Sequence, residues 1–284
     1  MEIINRRARM ASLARKLRRE NKTVGFVATM GALHEGHLSL VEEAGKMSDI
    51  VIVSIFVNPA QFGKNEDFDK YPRDLTADAA LLADYNVDYI FAPNVEEIYQ
   101  AGFSTYVYVE GLTETLEGEI RPGHFRGVAT VVTILFNTIR PDFAFFGQKD
   151  AQQVAVIKKL TRDLGFDTEI VVLPIIREET GLAMSSRNAY LSEQERQAAT
   201  IIYKGLKAAK SAVREGERNT VWLAEIVRQK IAEEPLAEID YIAVVDNETL
   251  EPVDKIDDRE ILVAIAVRFG RVRLIDNTIL NRKQ

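Results

Sequence analysis

Short apolar runs alternate with helix-like spacing over the first 175 residues of the chain. The apolar runs occupy residues 24–28, 50–57, 87–92, 142–146 and 170–173. Apolar residues recur at helical spacing in residues 37–47, 74–85, 128–139 and 151–164. Unbroken β-branched runs such as IVIVSIFV at 50–57 are typical of strands buried on both faces of a parallel sheet. The alternation therefore predicts an α/β domain built on a doubly wound parallel sheet.

The pattern changes after residue 175. The elements predicted there are helices at 192–214 and 219–232 and strands at 239–245, 261–269 and 272–275. Ser192 and Glu195 have the spacing of a capping box at the start of the long helix. The last two strands are separated only by Gly270-Arg271, which predicts a hairpin. We expect a first domain over 1–175 and a smaller α+β domain over 176–284.

Composition and charge narrow the classes of function. The chain has 284 residues, of which 46% are hydrophobic and 28% charged, and its net charge is −7. This composition is that of a globular protein, and the negative charge argues against a dedicated nucleic-acid partner. The absence of cysteine excludes disulfides and cysteine-ligated metal sites. No apolar segment has the length of a signal peptide or a membrane span, so we expect a cytoplasmic protein without a membrane partner.

The loop after the first predicted strand has the sequence TMGALHEGH, residues 29–37. It opens a helix, and the unpaired N–H groups and positive dipole end of a helix N-terminus favour a phosphate. Gly31 and Gly36 permit close approach of a ligand or a positive φ. The imidazoles of His34 and His37 can donate hydrogen bonds to phosphate oxygens. Two alternatives stay open on this segment alone, an exposed polar loop and half of a metal site.

Two other polar loops also follow apolar strands. The sequence NPAQF at 58–62 offers the amide of Gln61, and GQKD at 147–150 offers the cation of Lys149. Because doubly wound sheets bind ligands beyond the carboxyl ends of their strands, we expect both loops to share a rim with residues 29–37. Taken alone, each loop also fits an ordinary polar turn.

Two further loops carry guanidinium groups. The sequence GLAMSSRN at 181–188 combines two hydroxyls with Arg187, which can bind phosphate oxygens, although a polar connection is the alternative. The sequence RPGHFRG at 121–127 contains His124, for which a role in the core is the alternative. The chain has no GxxxxGK[ST] pattern, and no GxGxxG follows the first predicted strand. A nucleotide site would therefore consist of the histidine loop, Lys149 and the Ser-Ser-Arg loop.

Five motifs, in this order and spacing, resemble the pantothenate synthetase family, also called the pantoate–β-alanine ligases. They are TMGALHEGH (29–37), FVNPAQF (56–62), RPGHFRG (121–127), GQKD (147–150) and MSSRN (184–188). The resemblance covers essentially the whole chain and ends with RLIDN at 273–277. It implies a Rossmann-like domain of the nucleotidyl-transferring superfamily that includes class I aminoacyl-tRNA synthetases. Residues 34–37 would correspond to their HIGH motif, and residues 184–188 would take the place of their KMSKS loop.

The resemblance implies an enzyme that condenses (R)-pantoate with β-alanine in an ATP-dependent reaction. Pantoyl adenylate would be the intermediate, and pantothenate, AMP and pyrophosphate the products. The family also implies a cytoplasmic homodimer that requires Mg²⁺.

The family's site residues are carried over position by position. The implied catalytic residues are His34, His37, Lys149, Ser185 and Arg187. The implied ATP-binding residues are Met30, Gly31, Ala32, Leu33, His34, Glu35, Gly36, His37, Gly147, Gln148, Lys149, Asp150, Ile176, Met184, Ser185, Ser186 and Arg187. Gln61 and Gln153 are implied to hold pantoate, and Gln61 later β-alanine. Asp78 is the implied metal ligand.

Three positions depart from the family pattern. Gln148 stands where the family commonly has glutamate, and Ala28 where it commonly has proline, but neither change removes a reacting group. Ala77 stands before Asp78 where some members have a second acid, so Mg²⁺ carried by the ATP phosphates is an alternative to a protein-held ion. Two other functions are open on the motifs: a nucleotidylyltransferase acting on a phosphorylated substrate, and a non-catalytic nucleotide-binding regulator.

Overall fold

Two compact units make up the chain. The computed structural model describes residues 1–63, 66 and 68–281. The first unit consists of Met1–Gly147 and Val156–Leu173, and the second of Gln148–Ala155 and the residues from Pro174 onward. The domains expected at 1–175 and 176–284 differ from these units mainly in Gln148–Ala155. This segment belongs with the second unit, where the side chain of Asn277 donates hydrogen bonds to the carbonyls of Gln148 and Lys149.

Six parallel strands form the sheet of the first unit in the described residues. In chain order the elements are β1 (Glu2–Ile4), α1 (Arg7–Arg19), β2 (Val24–Thr29), α2 (Glu35–Met47), β3 (Ile50–Ile55), α3 (Leu75–Leu82), β4 (Tyr89–Phe91), α4 (Val95–Ile98), α5 (Glu117–Ile120), α6 (His124–Ile139), β5 (Phe143–Gly147), α7 (Ala151–Asp163) and β6 (Glu169–Leu173). The strand order is β1-β4-β3-β2-β5-β6. The order changes direction between β2 and β5, which is the switch point where doubly wound sheets bind ligands.

Helices cover both faces of this sheet. Adjacent residues of β2 point to opposite faces, as in any strand. The ring of Phe26 packs edge-on against Phe136 of α6, with 6.3 Å between centroids. Val27 lies in the buried cluster on the other face with Leu40 and Val41 of α2. The predicted α/β class and doubly wound sheet are confirmed.

The second unit has a three-stranded antiparallel sheet and three helices in the described residues. These elements are α8 (Glu193–Ala199), α9 (Ile201–Arg214), α10 (Thr220–Ile231), β7 (Ala237–Asp246), β8 (Ile261–Phe269) and β9 (Val272–Leu280). The fully buried side chains of Leu223, Val227 and Ile265 belong to the core of this unit. Phe269 pairs with Val272 across the predicted hairpin turn, so the hairpin and the α+β character are confirmed.

One difference from the predicted elements has a local cause. The prediction of a single helix over 192–214 is wrong, because the helix is interrupted at Thr200, between α8 and α9. The hydroxyl of Thr200 donates to the carbonyl of Gln197, a bond that competes with the helical pattern. The capping box of Ser192 and Glu195 is present at the start of α8.

The elements before residue 24 were not predicted. Strand β1 has only three residues. Helix α1 begins after Arg6, which makes no side-chain cap, and it has no acidic residue in its first turn. Only its buried positions Met10, Ala14 and Leu17 follow the helical period. Among the described residues, no helix combines the length and apolar character needed to cross a bilayer.

Candidate active site

The histidine loop leaves β2 in an unusual backbone conformation. Gly31 has φ of +82° and Ala32 has φ of +52°, in the left-handed region that disfavours residues with a Cβ. The carboxylate of Asp78 on α3 stabilises this turn, because it accepts hydrogen bonds from Leu33 N at 2.8 Å and Ala32 N at 3.2 Å. A Cβ at Gly31 would lie 2.8 Å from the Asp78 Oδ2 atom. The loop therefore requires glycine at 31 and an acceptor at 78.

These contacts give Asp78 a structural role. Its side chain is buried, and each carboxylate oxygen already accepts a backbone N–H. Within residues 1–63, 66 and 68–281, no group of three or more acidic or histidine side chains could hold a metal ion. We therefore assign Asp78 to the support of the histidine loop, and its role as a metal ligand stays a prediction.

The two histidines cap the helix that they precede. His34 is the N-cap of α2, and its Nδ1 atom accepts a hydrogen bond from Gly36 N at 3.1 Å. The Nδ1 atom of His37 accepts from His34 N at 3.4 Å, which completes a capping box. A backbone N–H only donates, so both Nδ1 atoms are acceptors, and the proton of each neutral ring is on Nε2. The centroids of the two rings lie 4.1 Å apart, and the rings present two Nε2–H donors at a helix N-terminus.

Backbone groups fix the orientation of the Gln61 amide through Asn58. The Asn58 Oδ1 atom accepts from Ala60 N at 3.2 Å, and its Nδ2 atom donates to Gly127 O at 3.1 Å. The same Nδ2 atom donates to Gln61 Oε1 at 3.0 Å. Gln61 Oε1 is therefore an acceptor, and its Nε2 atom, 3.0 Å from Met30 Sδ, is a donor. Gln61 presents N–H groups to an oxygen-bearing ligand.

Tyr99 contributes one more bond to this chain of donors. Its hydroxyl donates to Asn58 Oδ1 at 2.7 Å. Burial raises the pKa of the Tyr99 phenol, so the group stays protonated and keeps its role as a donor. The series from Tyr99 through Asn58 to Gln61 has a single direction, from the phenol to the Gln61 N–H groups.

His124 supports the Gln61 turn from α6. Its Nδ1 atom lies 2.9 Å from the carbonyl oxygen of Gln61, and its Nε2 atom lies 3.2 Å from Arg121 NH1. Arg121 forms two bonds of 2.7 Å with the carboxylate of Glu66. Burial raises the pKa of Glu66, but the bonds and charge of Arg121 outweigh that effect and hold it below its ordinary value. The RPGHFRG motif therefore positions Gln61.

In the second unit, a turn carries Lys149 and Asp150. Gln148–Asp150 form one 3₁₀ turn before α7. The Lys149 side chain is 19% exposed, and its Nζ atom lies 3.8 Å from Asp150 Oδ1, so the cation is partly sheltered from water. Gln153 lies in the first turn of α7 and is half-buried. Gly147 is the last residue of β5, in the first unit.

The Ser-Ser-Arg loop is also in the second unit. Met184 N donates to Ile176 O at 2.9 Å, which brings together two residues implied for the nucleotide. Ser185 Oγ accepts from Arg187 N at 3.3 Å at the start of a 3₁₀ turn. The side chains of Ser185, Ser186 and Arg187 are half-buried.

The structure thus groups the predicted residues within each unit. Met30, the histidines and Gln61 lie together in the first unit, whereas the lysine turn and residues 176–187 belong to the second. Sequence reasoning missed Asn58, Tyr99 and Asn277 as supports. Asn58 stands in the motif FVNPAQF and Asn277 in RLIDN, so the motifs alone could have marked both residues as candidates. Their contacts depend on tertiary packing and could not be predicted.

Comparison with known proteins identifies the family. A family model described as pantoate-beta-alanine ligase matches residues 2–279. The chain belongs to this ligase family. A pantothenate synthetase from Caldicellulosiruptor bescii is 50% identical over 283 residues and covers 100% of both chains. The resemblance inferred from the motifs is confirmed.

Solved ligases of the family have the same fold. Pantothenate synthetase from Thermus thermophilus superposes with a TM-score of 0.92 at 45% identity, covering 98% of this chain and 99% of that one. The ligase from Francisella tularensis, solved in complex with β-γ ATP and β-alanine, superposes with a TM-score of 0.79 at 34% identity, covering 100% and 98%. The ligase is therefore favoured over the nucleotidylyltransferase and the regulator.

Proposed function

We propose that the protein joins (R)-pantoate to β-alanine in an ATP-dependent reaction that yields pantothenate, AMP and pyrophosphate. The observation that carries this function is the histidine loop. In a chain that matches the ligase family over residues 2–279, both imidazoles use Nδ1 to cap α2 and have their proton on Nε2. Two N–H donors at a helix N-terminus suit the phosphates of ATP.

In the first step, a carboxylate oxygen of pantoate attacks the α-phosphorus of ATP. A P–O bond forms, the bond to pyrophosphate breaks, and pantoyl adenylate results. Negative charge builds up on the phosphoryl oxygens, and the Nε2–H groups of His34 and His37 with the Lys149 ammonium stabilise it. Ser185 and Arg187 bind further phosphate oxygens. Alignment of the two reactants and stabilisation of this charge account for the catalysis, so no protein nucleophile is needed.

The second step forms the amide bond. The amine of β-alanine attacks the carbonyl carbon of pantoyl adenylate, the C–N bond forms, the C–O bond to AMP breaks, and the amine loses a proton to solvent. Gln61 donates N–H groups to an oxygen of pantoate and later to β-alanine, as its fixed amide orientation supports. Gln153 is the second residue for pantoate, and Asp150 binds the ribose of ATP.

We also propose that Mg²⁺ enters with ATP, bound to its phosphate oxygens as part of that substrate. Mg²⁺ gives up its water ligands reluctantly and is commonly held by substrate phosphates with few protein ligands. The engagement of both Asp78 oxygens by backbone N–H groups supports this route. From the family resemblance we further propose a homodimer located in the cytoplasm.

The first test measures pyrophosphate released by the purified protein from Mg-ATP, with and without pantoate. We expect release only with pantoate, and AMP and pantothenate only after β-alanine is added. Release of pyrophosphate without pantoate, or none with it, would contradict the proposed function. A dinucleotide product from a phosphorylated substrate would instead favour the nucleotidylyltransferase.

A further inference from the structure

Two neighbouring residues of β9 hold two different loops of the second unit. Asp276 and Asn277 are 4% and 3% exposed. Aspartate and asparagine are depleted in strands, and burying an ionised carboxylate is costly without a partner. Pairing within the sheet therefore does not explain why a buried aspartate and a buried asparagine stand in β9. Their contacts outside the sheet explain it.

Asn277 binds the turn that carries Lys149. Its Nδ2 atom donates to the carbonyls of Gln148 and Lys149, both at 2.9 Å. Its Oδ1 atom accepts from Gln148 Nε2 at 3.1 Å. One amide thus uses both of its protons on consecutive carbonyls and receives a third bond from the same turn. The turn is thereby attached to the antiparallel sheet.

Asp276 binds the segment that leads to the Ser-Ser-Arg loop. Its carboxylate accepts two bonds from Arg177, at 2.6 and 3.0 Å, and one from Asn277 N at 2.8 Å. Burial raises the pKa of Asp276, and the guanidinium of Arg177 opposes that rise. Arg177 also donates to Gly181 O at 3.1 Å and lies over the ring of Tyr203. Through Arg177, Asp276 therefore fixes the chain just before residues 184–187.

We propose that Asn277 is a positioning residue for adenylate formation, which holds the backbone of the Lys149 turn in place. Asp276, through Arg177, does the same for the segment before Ser185 and Arg187. Strand β9 thereby positions the Lys149 turn and the segment that leads to Ser185 and Arg187, all of which we propose act on phosphate. This inference rests on the proposed function, because it takes Lys149 to stabilise the phosphates of ATP.

Three variants test the inference in the full-length protein: Asn277→Ala, Asn277→Ser and, as a matched control, Asn247→Ala. Asn247 is in the same unit, and its amide donates to Glu260 at 3.1 Å and not to the Lys149 turn. The measurements are kcat and KM for pantoate-dependent pyrophosphate release in the presence of β-alanine, with thermal unfolding of each variant. Misplacement of a reacting group by about 1 Å costs roughly 10²-fold in rate, so we expect kcat of Asn277→Ala to fall by about that factor.

Serine keeps one donor but is too short to reach both carbonyls. The kcat of Asn277→Ser should therefore lie between that of Asn277→Ala and that of the wild type. The serine variant also keeps the test available if the alanine variant does not fold. We expect KM for pantoate to stay within about twofold and Asn247→Ala to match the wild type. Normal kcat in a folded Asn277 variant would overturn this inference and leave the proposed function intact.

A double-mutant cycle separates positioning of Lys149 from general destabilisation. If Asn277 acts through Lys149, Asn277→Ala should reduce the rate of the wild type but cause no further loss in the Lys149→Ala variant. An equal loss in both backgrounds would overturn the inference. Absence of pantoate-dependent pyrophosphate release by the wild type would overturn the proposed function and the inference with it.

Discussion

At the scale of single residues, backbone groups decide which atoms of the site donate and which accept. A backbone N–H donates to the Nδ1 atom of His34 and another to that of His37. Ala60 N and Gly127 O fix which end of the Asn58 amide is oxygen and which is nitrogen, and Asn58 in turn fixes the orientation of the Gln61 amide. Side chains with fixed roles need no reorganisation when charge develops on a ligand, which is the property that favours catalysis.

Tyr99→Phe tests this chain of hydrogen bonds. The variant removes one donor to Asn58 Oδ1, while Ala60 N still binds that atom. A neutral hydrogen bond contributes about 0.5–1.5 kcal/mol, so we expect KM for pantoate to rise roughly 2- to 10-fold with KM for ATP unchanged. Tyr108→Phe is the matched control, since its hydroxyl binds the exposed Glu114. An unchanged KM for pantoate would show that Tyr99 does not act on Gln61.

At the scale of elements, helix α6 approaches the Gln61 turn so closely that only glycine fits at one position. A Cβ at Gly127 would lie 2.3 Å from the carbonyl oxygen of Ala60 and 2.6 Å from Gln61 N. Backbone atoms cannot move aside as a flexible side chain can, so α6 or the turn must shift. The glycine that ends the RPGHFRG motif therefore reflects packing and not a ligand.

Gly127→Ala should destabilise the protein and weaken pantoate binding together. We expect a loss of about 1–3 kcal/mol in the free energy of unfolding, as for other overpacked sites, and a higher KM for pantoate. Gly45→Ala is the matched control, because Gly45 is also a helical glycine and its Cβ would meet only Asn86 Cβ, at 3.8 Å. Alanine favours helices, so the control should be neutral or more stable. Equal effects of the two substitutions would refute the packing argument.

The elements themselves were largely predictable, because each depends on a pattern local in the sequence. The strand at 50–57 and the hairpin at Gly270 follow from β-branched runs and a two-residue turn. The interruption at Thr200 was not predictable, because the residues around it keep the helical period and the bond of the Thr200 hydroxyl to Gln197 is visible only in the structure. Short β1 and uncapped α1 lack the local features that mark an element.

At the scale of the whole molecule, the sequence proposes the residues of the candidate site, whereas the side chains that support them come from the structure. His34, Gln61 and Lys149 stand in loops after apolar strands, and parallel-sheet topology is the reason the sequence predicts a ligand-binding role for such loops. Asn277, in contrast, binds a carbonyl 128 positions earlier in the chain. No periodicity or spacing encodes a contact of that separation, so only the folded structure reveals it.

Stability against acid is also a property of the whole molecule, set by carboxylates that are held ionised. Glu66 and Asp246 both have a pKa below the ordinary value, although burial alone would raise it. Arg121 lowers the pKa of Glu66, and the N–H groups of Thr249 and Glu248, with Arg259, lower that of Asp246. The unfolded chain then binds more protons than the folded one at acid pH. Their contribution to stability is therefore complete above the ordinary pKa and is lost as pH falls through the folded pKa.

Glu66→Gln should make the stability of the protein less dependent on acid. At pH 7 we expect a loss of about 1 kcal/mol, because the glutamine cannot pair with the Arg121 cation and the ion pair is partly exposed. As pH falls from the ordinary Glu pKa of 4.5 through the lower pKa of the folded state, the wild type loses this contribution and the two curves should converge. Chemical unfolding at a series of pH values between about 3 and 7 measures the free energy of unfolding of both proteins. Glu110→Gln, an exposed position in the same unit, is the control. Parallel curves for the wild type and Glu66→Gln down to pH 3 would show that the folded state does not hold Glu66 ionised in this way.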